Sequence, residues 1–145
     1  METGSLRNVA FIPLRMTEIH PQGWLKRQLR IQADGLSGHL DEFWPDIKNS
    51  QWCGGDSESW ERAPYWLDGA VPLAYILNDT VLIKKVTRYI NYILENQSED
   101  GWLGPKNMVA SDGAETNQNY DLWAQFLILK VLVQYHDATN DTRIP

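Results

Sequence analysis

The sequence predicts an all-α fold, and three observations lead to that prediction. Apolar residues recur at about every 3.6 positions in several separate stretches, which is the period of an amphipathic helix. No alternating apolar and polar pattern persists for more than a few residues, so strands are not indicated. The segments between the helical stretches are rich in Gly, Pro, Asn and Ser, which end helices and form loops.

The chain is predicted to begin with an irregular lead followed by a helix. Residues 1–17 form the lead, in which residues 11–14 (FIPL) are the apolar anchor. A proline then suits the first turn of a helix, where its missing N–H is harmless. We therefore predict a first helix over residues 21–40, weakened near its end by Gly35 and Gly38.

A long loop rich in tryptophan is predicted next, over residues 43–60. Loops longer than about 12–15 residues in a compact domain are usually functional or disordered, and the aromatic residues here favour function. The chain has seven tryptophans, an unusual number for 145 residues. A single tryptophan is more often part of the core. For the cluster around this loop, core packing and stacking on the apolar faces of sugar rings both stay open.

Two further helices are predicted to follow as a pair. The second helix covers residues 64–77, where Pro72 should kink or restart it. Asp79 or Thr80 is expected to cap the third helix, which extends to about residue 97 with a regular 3.6 period. The short break between the two helices predicts an antiparallel hairpin.

After the third helix, the sequence predicts a second loop and then a strongly apolar helix. Residues 98–119 are predicted to be loop, and residues 120–136 to be the last helix. Because this helix is apolar around much of its circumference, we expect it to be well buried and to have neighbours.

Composition excludes several classes of function. A formal net charge of −6 without a basic run argues against nucleic-acid binding. No stretch approaches the roughly 20 apolar residues that cross a bilayer, and no signal peptide is visible, so the compartment is left open. Cys53 is the single cysteine, and no Cys/His spacing indicates a metal site. We therefore expect no membrane partner, no cofactor in this chain, and a neutral or small ligand.

Several segments resemble one family of glycoside hydrolases. The sequence WERAPYWLDG at residues 60–69, followed by VPLAY at residues 71–75, resembles the opening hairpin of family 127, the β-L-arabinofuranosidase type. The sequences YINYIL and DGWLGP within residues 89–105 look like its next helix and loop. Residues 121–141, from DLWA to YHDATND, look like the helix after that. The resemblance covers residues 13–141.

The resemblance implies a catalytic domain of the (α/α)6 toroid, or six-hairpin glycosidase-like, type. Such a protein acts on polysaccharide or glycoconjugate sugars of plant or microbial type. Its best-understood members imply a cysteine nucleophile, zinc held by cysteines and a glutamate, and a glutamate acid/base, all beyond the matching part. Cys53 fits none of those motifs, so no catalytic residue is carried over, and zinc is expected only in a full-length relative.

The length of the chain agrees with only part of such a toroid. About twelve helices of roughly 12 residues, with their connections, need on the order of 200 residues. We therefore interpret residues 1–145 as one helical region, the incomplete N-terminal part of an (α/α) barrel. Its partner would be carbohydrate, and a homo-oligomer or the missing C-terminal part of the same protein are further alternatives.

Five residues are the candidates for sugar binding: Trp52, Trp60, Arg62, Trp66 and Asp68. The tryptophans would stack on sugar rings along a concave surface. Asp68 would either pair with Arg62 or contact a sugar hydroxyl, and these alternatives are about equal. Glu61 is expected to cap its helix instead, because it lies about 10–11 Å along the axis from Asp68, too far for a retaining pair of carboxylates.

Two other functions stay open beside the glycoside hydrolase. The first is a non-catalytic carbohydrate-binding or interaction module. The second is a toroid of the terpene-cyclase or prenyltransferase type, because such proteins use similar Gln, Asp-Gly and Trp turns, although the sequence lacks their acidic cation-handling motifs. The sugar, the linkage and the stereochemical outcome are not indicated.

Overall fold

The computed structural model describes residues 11–107 and 120–144, and over these residues the fold is α-helical without a strand. The all-α prediction is confirmed. The α-helices of the described ranges are α1 (Gly23–Asp34), α2 (Leu36–Phe43), α3 (Pro45–Lys48), α4 (Arg62–Leu77), α5 (Thr80–Glu95) and α6 (Trp123–Thr139). Short 3-10 helices occupy Met16–Glu18 and Gln51–Cys53. None of the helices in these ranges is long and apolar enough to cross a membrane.

Helix α4 is the centre of the core and contacts α1, α2, α3, α5 and α6. Its sequence is apolar on nearly every side, as expected of a helix with neighbours all round. The buried residues of α4 are Ala63, Pro64, Trp66, Leu67, Ala70, Val71, Leu73 and Ala74. Pro72 lies inside α4 without dividing it, so the helix does not restart there.

The start of α5 is determined by the side chain of Asp79. Its Oδ1 accepts hydrogen bonds from the backbone N–H groups of Val81 and Leu82, both at 3.0 Å, which satisfies two donors that the helix leaves free. The predicted cap is therefore confirmed. Asn78, in the left-handed conformation, ends α4 just before it, and the two helices pack against each other.

The prediction of one helix over residues 21–40 was wrong, because the chain breaks at Gly35 into α1 and α2. The two helices approach closely at Gly38, where an added Cβ would lie 1.8 Å from the carbonyl oxygen of Ala33. Only glycine fits this approach. Most of α1 is exposed, and Ala33 is its buried residue.

The lead is held by polar contacts and not by its apolar residues. Phe11, Ile12 and Leu14 are exposed, so the expected apolar anchor was wrong. Arg15 Nη2 instead donates to the carbonyl oxygen of Asp137 and to Oδ1 of Asn140, both at 2.7 Å. These bonds fasten the lead to the C-terminal end of α6. Residues 1–10 of the predicted lead lie outside the described part.

The predicted loop over residues 43–60 contains more regular structure than its composition indicates. A proline opens α3, and a 3-10 turn follows at Gln51–Cys53. Ile47 and Trp52 point into the core from these turns and are almost completely buried. Of the second predicted loop, residues 108–119 lie outside the described residues.

Helix α6 is buried on one side only, although the sequence predicted burial around most of it. Ala124, Ile128, Val131 and Tyr135 are buried, and α6 packs mainly on α4. The opposite side exposes the apolar residues Leu122, Phe126, Leu129 and Val133.

Candidate functional site

A concave pocket of about 410 Å³ opens where the end of α2 meets the first turn of α4. It combines three aromatic side chains, a cation, a carboxylate and a leucine. The residues that line it are Leu40, Trp44, Glu61, Arg62, Tyr65 and Trp66. We call it the Trp44–Tyr65 pocket. Sequence reasoning found Arg62 and Trp66 but not Trp44 or Tyr65, which become neighbours only through the packing of α2 on α4.

Arg62 and Trp44 form the first wall of the pocket. The guanidinium carbon of Arg62 lies 5.5 Å from the centroid of the Trp44 ring, within the range of a cation–π contact. The structure gives Arg62 no carboxylate partner among the described ion pairs. Because the guanidinium group is exposed and carries five N–H donors, donors remain for a ligand.

The first turn of α4 is positioned by Glu58, which sequence analysis missed. Glu58 Oε1 accepts the backbone N–H groups of Trp60 and Glu61 at 2.8 Å, and Oε2 accepts that of Arg62 at 3.2 Å. A carboxylate is favoured at this end of a helix by the helix dipole. The expectation that Glu61 makes the cap was wrong, since Glu61 has no capping hydrogen bond. An acidic residue four positions before the helix is the one indication in the sequence.

Glu61 instead joins α4 to α6. Its Oε2 accepts a hydrogen bond of 2.7 Å from the indole N–H of Trp123, the first residue of α6. About half of the Trp123 surface is exposed. The indole therefore extends the aromatic surface beside the pocket.

Hydrogen bonds bring three loops together near this end of α4. Ser59 Oγ donates to Asn107 Oδ1 at 2.9 Å, and Asn107 Nδ2 returns a bond of 2.7 Å to the Ser59 carbonyl. The backbone N–H of Asp121 donates to the Asn107 carbonyl at 2.8 Å. The loops before α4, after α5 and before α6 thus meet at one place, where Trp102 also packs against Tyr120.

Trp52, predicted to bind sugar, lies in the core. It is 1% exposed, and its indole N–H donates to the Trp60 carbonyl at 2.9 Å. Gly104 covers the ring so closely that a Cβ there would lie 2.3 Å from it. Trp52 therefore has no free face for a ligand, and its contribution is to support the backbone of Trp60.

Trp60 and Trp66, the other two predicted stacking residues, differ in exposure. Trp60 is 44% exposed and is not one of the residues that line the pocket. Trp66 is 6% exposed, packs edge-on against Tyr89 at 4.9 Å, and donates its N–H to the Ser37 carbonyl at 2.8 Å. Trp66 lines the pocket, but very little of its surface is accessible to a ligand.

Asp68 does not pair with Arg62. Its carboxylate binds Lys130 Nζ at 2.8 Å and Gln134 Nε2 at 2.9 Å, both on α6. Residues six apart on a helix point about 120° away from each other, because each residue turns the helix by about 100°. Arg62 therefore faces the pocket, while Asp68 joins α4 to α6 and lies outside the pocket lining.

Lys85 and Cys53 lie outside the pocket lining and have structural surroundings. Lys85 Nζ lies 2.7 Å from Asp41 Oδ1, 2.9 Å from Glu42 Oε1 and 2.6 Å from the Gly38 carbonyl oxygen, so its ammonium group joins α5 to α2. Lys85 holds the pKa of Glu42 below its usual value, with a further contribution from a neighbouring histidine. Burial raises the pKa of the Cys53 thiol, so a thiolate nucleophile is not favoured there.

A search for metal-binding groups and comparisons with known proteins both gave no match. Within the described part of the chain, no group of three His, Cys, Asp or Glu side chains could hold a metal ion. No family model, no curated protein and no solved structure matches the chain. The resemblance to family 127 therefore rests on the sequence motifs alone and stays a prediction.

Proposed function

We propose that the chain binds carbohydrate at the Trp44–Tyr65 pocket, as part of the sugar cleft of a glycoside hydrolase-like α/α toroid. The observation that carries the proposal is that one concave pocket is lined both by Arg62, whose guanidinium group lies over the Trp44 ring, and by the exposed ring of Tyr65. The toroid and the arabinofuranosidase-type specificity are taken from the sequence resemblance.

The pocket has the two kinds of contact that a sugar needs. The C–H face of a pyranose or furanose ring is apolar and stacks on an aromatic side chain such as Tyr65, which is 45% exposed. Adjacent hydroxyl groups can accept hydrogen bonds from the Arg62 fork and donate to the Glu61 carboxylate. Donors and acceptors beside an apolar surface distinguish this pocket from the apolar cavity that an isoprenoid substrate would require.

The pocket lining supports binding more than hydrolysis. Most glycosidases use two carboxyl groups, about 5–5.5 Å apart for retention or about 6.5–9.5 Å apart for inversion. Glu61 is the one carboxylate among the six lining residues, and Trp123 already occupies one of its oxygens. This observation favours the second candidate function, a carbohydrate-binding module without turnover.

The proposal is tested by titrating the chain with arabino-, xylo- and galacto-oligosaccharides and recording amide and indole NMR shifts. We expect shifts at Trp44 and Arg62 with one of these sugars. Tyr65→Ala should weaken that binding by about tenfold or more, since it removes the stacking face. Trp24→Ala is the matched control, because Trp24 is an exposed aromatic residue outside the pocket lining.

Two results separate the outcomes. If no oligosaccharide shifts the pocket residues, or if Trp24→Ala weakens binding as much as Tyr65→Ala, the proposed site is wrong. Where binding is found, release of monosaccharide from the bound oligosaccharide distinguishes a hydrolase from a module that binds without turnover.

A further inference from the structure

Helices α4 and α6 run parallel and in register. The indole of Trp123 bonds to Glu61, which lies 62 positions earlier in the chain. About two turns further along both helices, Lys130 bonds to Asp68, again 62 positions earlier. Parallel helices keep the same offset from one contact to the next, whereas antiparallel helices do not. The first turns of α4 and α6 therefore lie side by side, at the end of the molecule where the pocket opens.

The ring of Trp123 lies on the side of α6 that faces α4. Trp123 and Lys130 share one face of the helix, because they are seven residues apart, and both bond to α4. The exposed apolar residues Phe126 and Leu129 point about 60° and about 120° away from Trp123, because each residue turns the helix by about 100°. Trp123 therefore belongs to the surface that α4 and α6 form together, and not to the apolar outer side of α6.

On this surface, Glu61 lies between Trp123 and Tyr65. The backbone N–H of Tyr65 donates to the Glu61 carbonyl at 2.9 Å, so Glu61 continues the path of the helix. Side chains four residues apart on a helix are neighbours, with Cβ atoms about 5–6 Å apart. Relative to Glu61, Asp68 points about 20° towards α6 and Tyr65 about 40° the other way. One carboxylate therefore has an aromatic ring on each side.

Both of these rings leave surface for a ligand. Trp123 is 49% exposed and Tyr65 is 45% exposed. The N–H group lies in the plane of the indole, so the bond to Glu61 uses an edge of the Trp123 ring, whereas a sugar stacks on a face. Trp66 differs, because its N–H is also bonded but only 6% of its surface is exposed. Trp123 can therefore hold Glu61 and stack on a sugar at the same time.

We propose that Trp123 is a second stacking platform of the carbohydrate site, so that the ligand is a chain of at least two sugar residues. This inference rests on the proposed function. One sugar would stack on Tyr65 beside Arg62, and the next would stack on Trp123. Hydroxyl groups of either sugar can donate to the Glu61 carboxylate, which the indole N–H orients.

The dependence of affinity on chain length tests the inference. The full chain is titrated with the mono-, di- and trisaccharides of the arabinose, xylose and galactose series, and the amide NMR shifts of the pocket residues give each dissociation constant. In the series that binds, we expect the disaccharide to bind about three- to tenfold more tightly than the monosaccharide. That gain is the usual contribution of one aromatic stacking contact.

Two substitutions of Trp123 separate stacking from the orientation of Glu61. Trp123→Ala removes the ring, so the monosaccharide and the disaccharide should bind with nearly equal affinity. Trp123→Phe keeps a ring without the donor, so both sugars should bind more weakly by the same factor and the advantage of the disaccharide should remain. Trp24→Ala is the matched control, since it removes a 68% exposed tryptophan of α1 outside the pocket lining and should change neither affinity. Far-UV circular dichroism checks that each variant keeps its helices.

The possible results distinguish this inference from the proposed function. If no sugar of any length shifts the pocket residues, both are wrong. If the monosaccharide binds at the pocket but the disaccharide binds no more tightly, or keeps its advantage in Trp123→Ala, the second platform is wrong while the carbohydrate site stands. An equal loss of that advantage in Trp24→Ala and Trp123→Ala would also exclude the second platform.

Discussion

The indole N–H of Trp123 donates to Glu61 Oε2 at 2.7 Å, which ties the first turn of α6 to the first turn of α4 beside the Trp44–Tyr65 pocket. The two residues are 62 positions apart in the chain. Because Glu61 also lines the pocket, the position of α6 affects the carboxylate that a ligand would meet. Pocket geometry and helix packing are therefore linked through this one bond.

The first prediction concerns this bond. Trp123→Phe keeps an aromatic ring but removes the donor, so Glu61 loses its fixed orientation. We expect sugar affinity to fall by about two- to tenfold, the usual net effect of one hydrogen bond, with little change in thermal stability. Isothermal titration calorimetry measures the affinity. Equal affinity of the variant and the unaltered chain would show that the orientation of Glu61 does not matter for binding.

The second prediction separates the two candidate caps of α4. Glu58→Ala removes the acceptor of three backbone N–H groups, so we expect it to lower the free energy of unfolding by about 1–2 kcal/mol. Glu61→Ala loses only the half-exposed bond to Trp123 and should cost less. Urea unfolding of both variants gives the comparison. If Glu61→Ala lowered the free energy of unfolding more than Glu58→Ala, Glu58 would not be the cap of α4.

The third prediction compares two glycines. Gly104 has a φ of +64°, and a Cβ there would lie 2.3 Å from the buried Trp52 ring, so Gly104→Ala should destabilise the chain by at least about 1–3 kcal/mol. Gly69 lies inside α4 with open space around it, so Gly69→Ala should be neutral or stabilise by about 0.5–1 kcal/mol. Thermal unfolding of both variants is the measurement, and similar melting temperatures would contradict the packing of Trp52 under Gly104.

The fourth prediction concerns acid. The Arg143 side chain lowers the pKa of Asp141 to about 2, and the backbone N–H of Leu82, followed by Arg30, lowers the pKa of Asp79. A carboxyl group with a lowered pKa stabilises the fold above its unfolded pKa of about 4, and this contribution is lost as the pH falls towards the folded value.

We therefore expect the urea midpoint to fall between about pH 4 and about pH 2, by a modest amount because these groups are close to solvent. Asp141→Asn should reduce this dependence and leave the remainder to Asp79, Glu42 and Asp100, whose pKa values are also lowered. A midpoint that stays constant over this range would contradict the assignment of these ion pairs.

The helices α4 and α5 could be predicted because their information is local. A 3.6 period that continues over four turns, together with Asp79 before the first turn of α5, specifies both helices and one boundary without reference to the rest of the chain. The break at Gly35 was not predicted, since it depends on the close approach of Gly38 to Ala33, which arises only when α2 turns back on α1.

The candidate site was predicted less completely than the fold. Its tryptophan-rich neighbourhood and Arg62 were found from the sequence, since residue type and loop composition are visible there. By contrast, Trp44 lies against Arg62 only because α2 packs on α4. The Glu58 carboxylate caps α4 only because the loop before the helix folds back towards its first turn.

Amino-acid order alone was sufficient for the all-α class, for α4 and α5 and for the cap between them, because backbone hydrogen bonds and apolar periodicity act over a few residues. It was not sufficient to distinguish Trp52 in the core from Trp60 at the surface, or to pair Asp68 with Lys130 and not with Arg62. Those distinctions depend on which distant helix covers a side chain, and burial is a property of the packed chain that no local pattern carries.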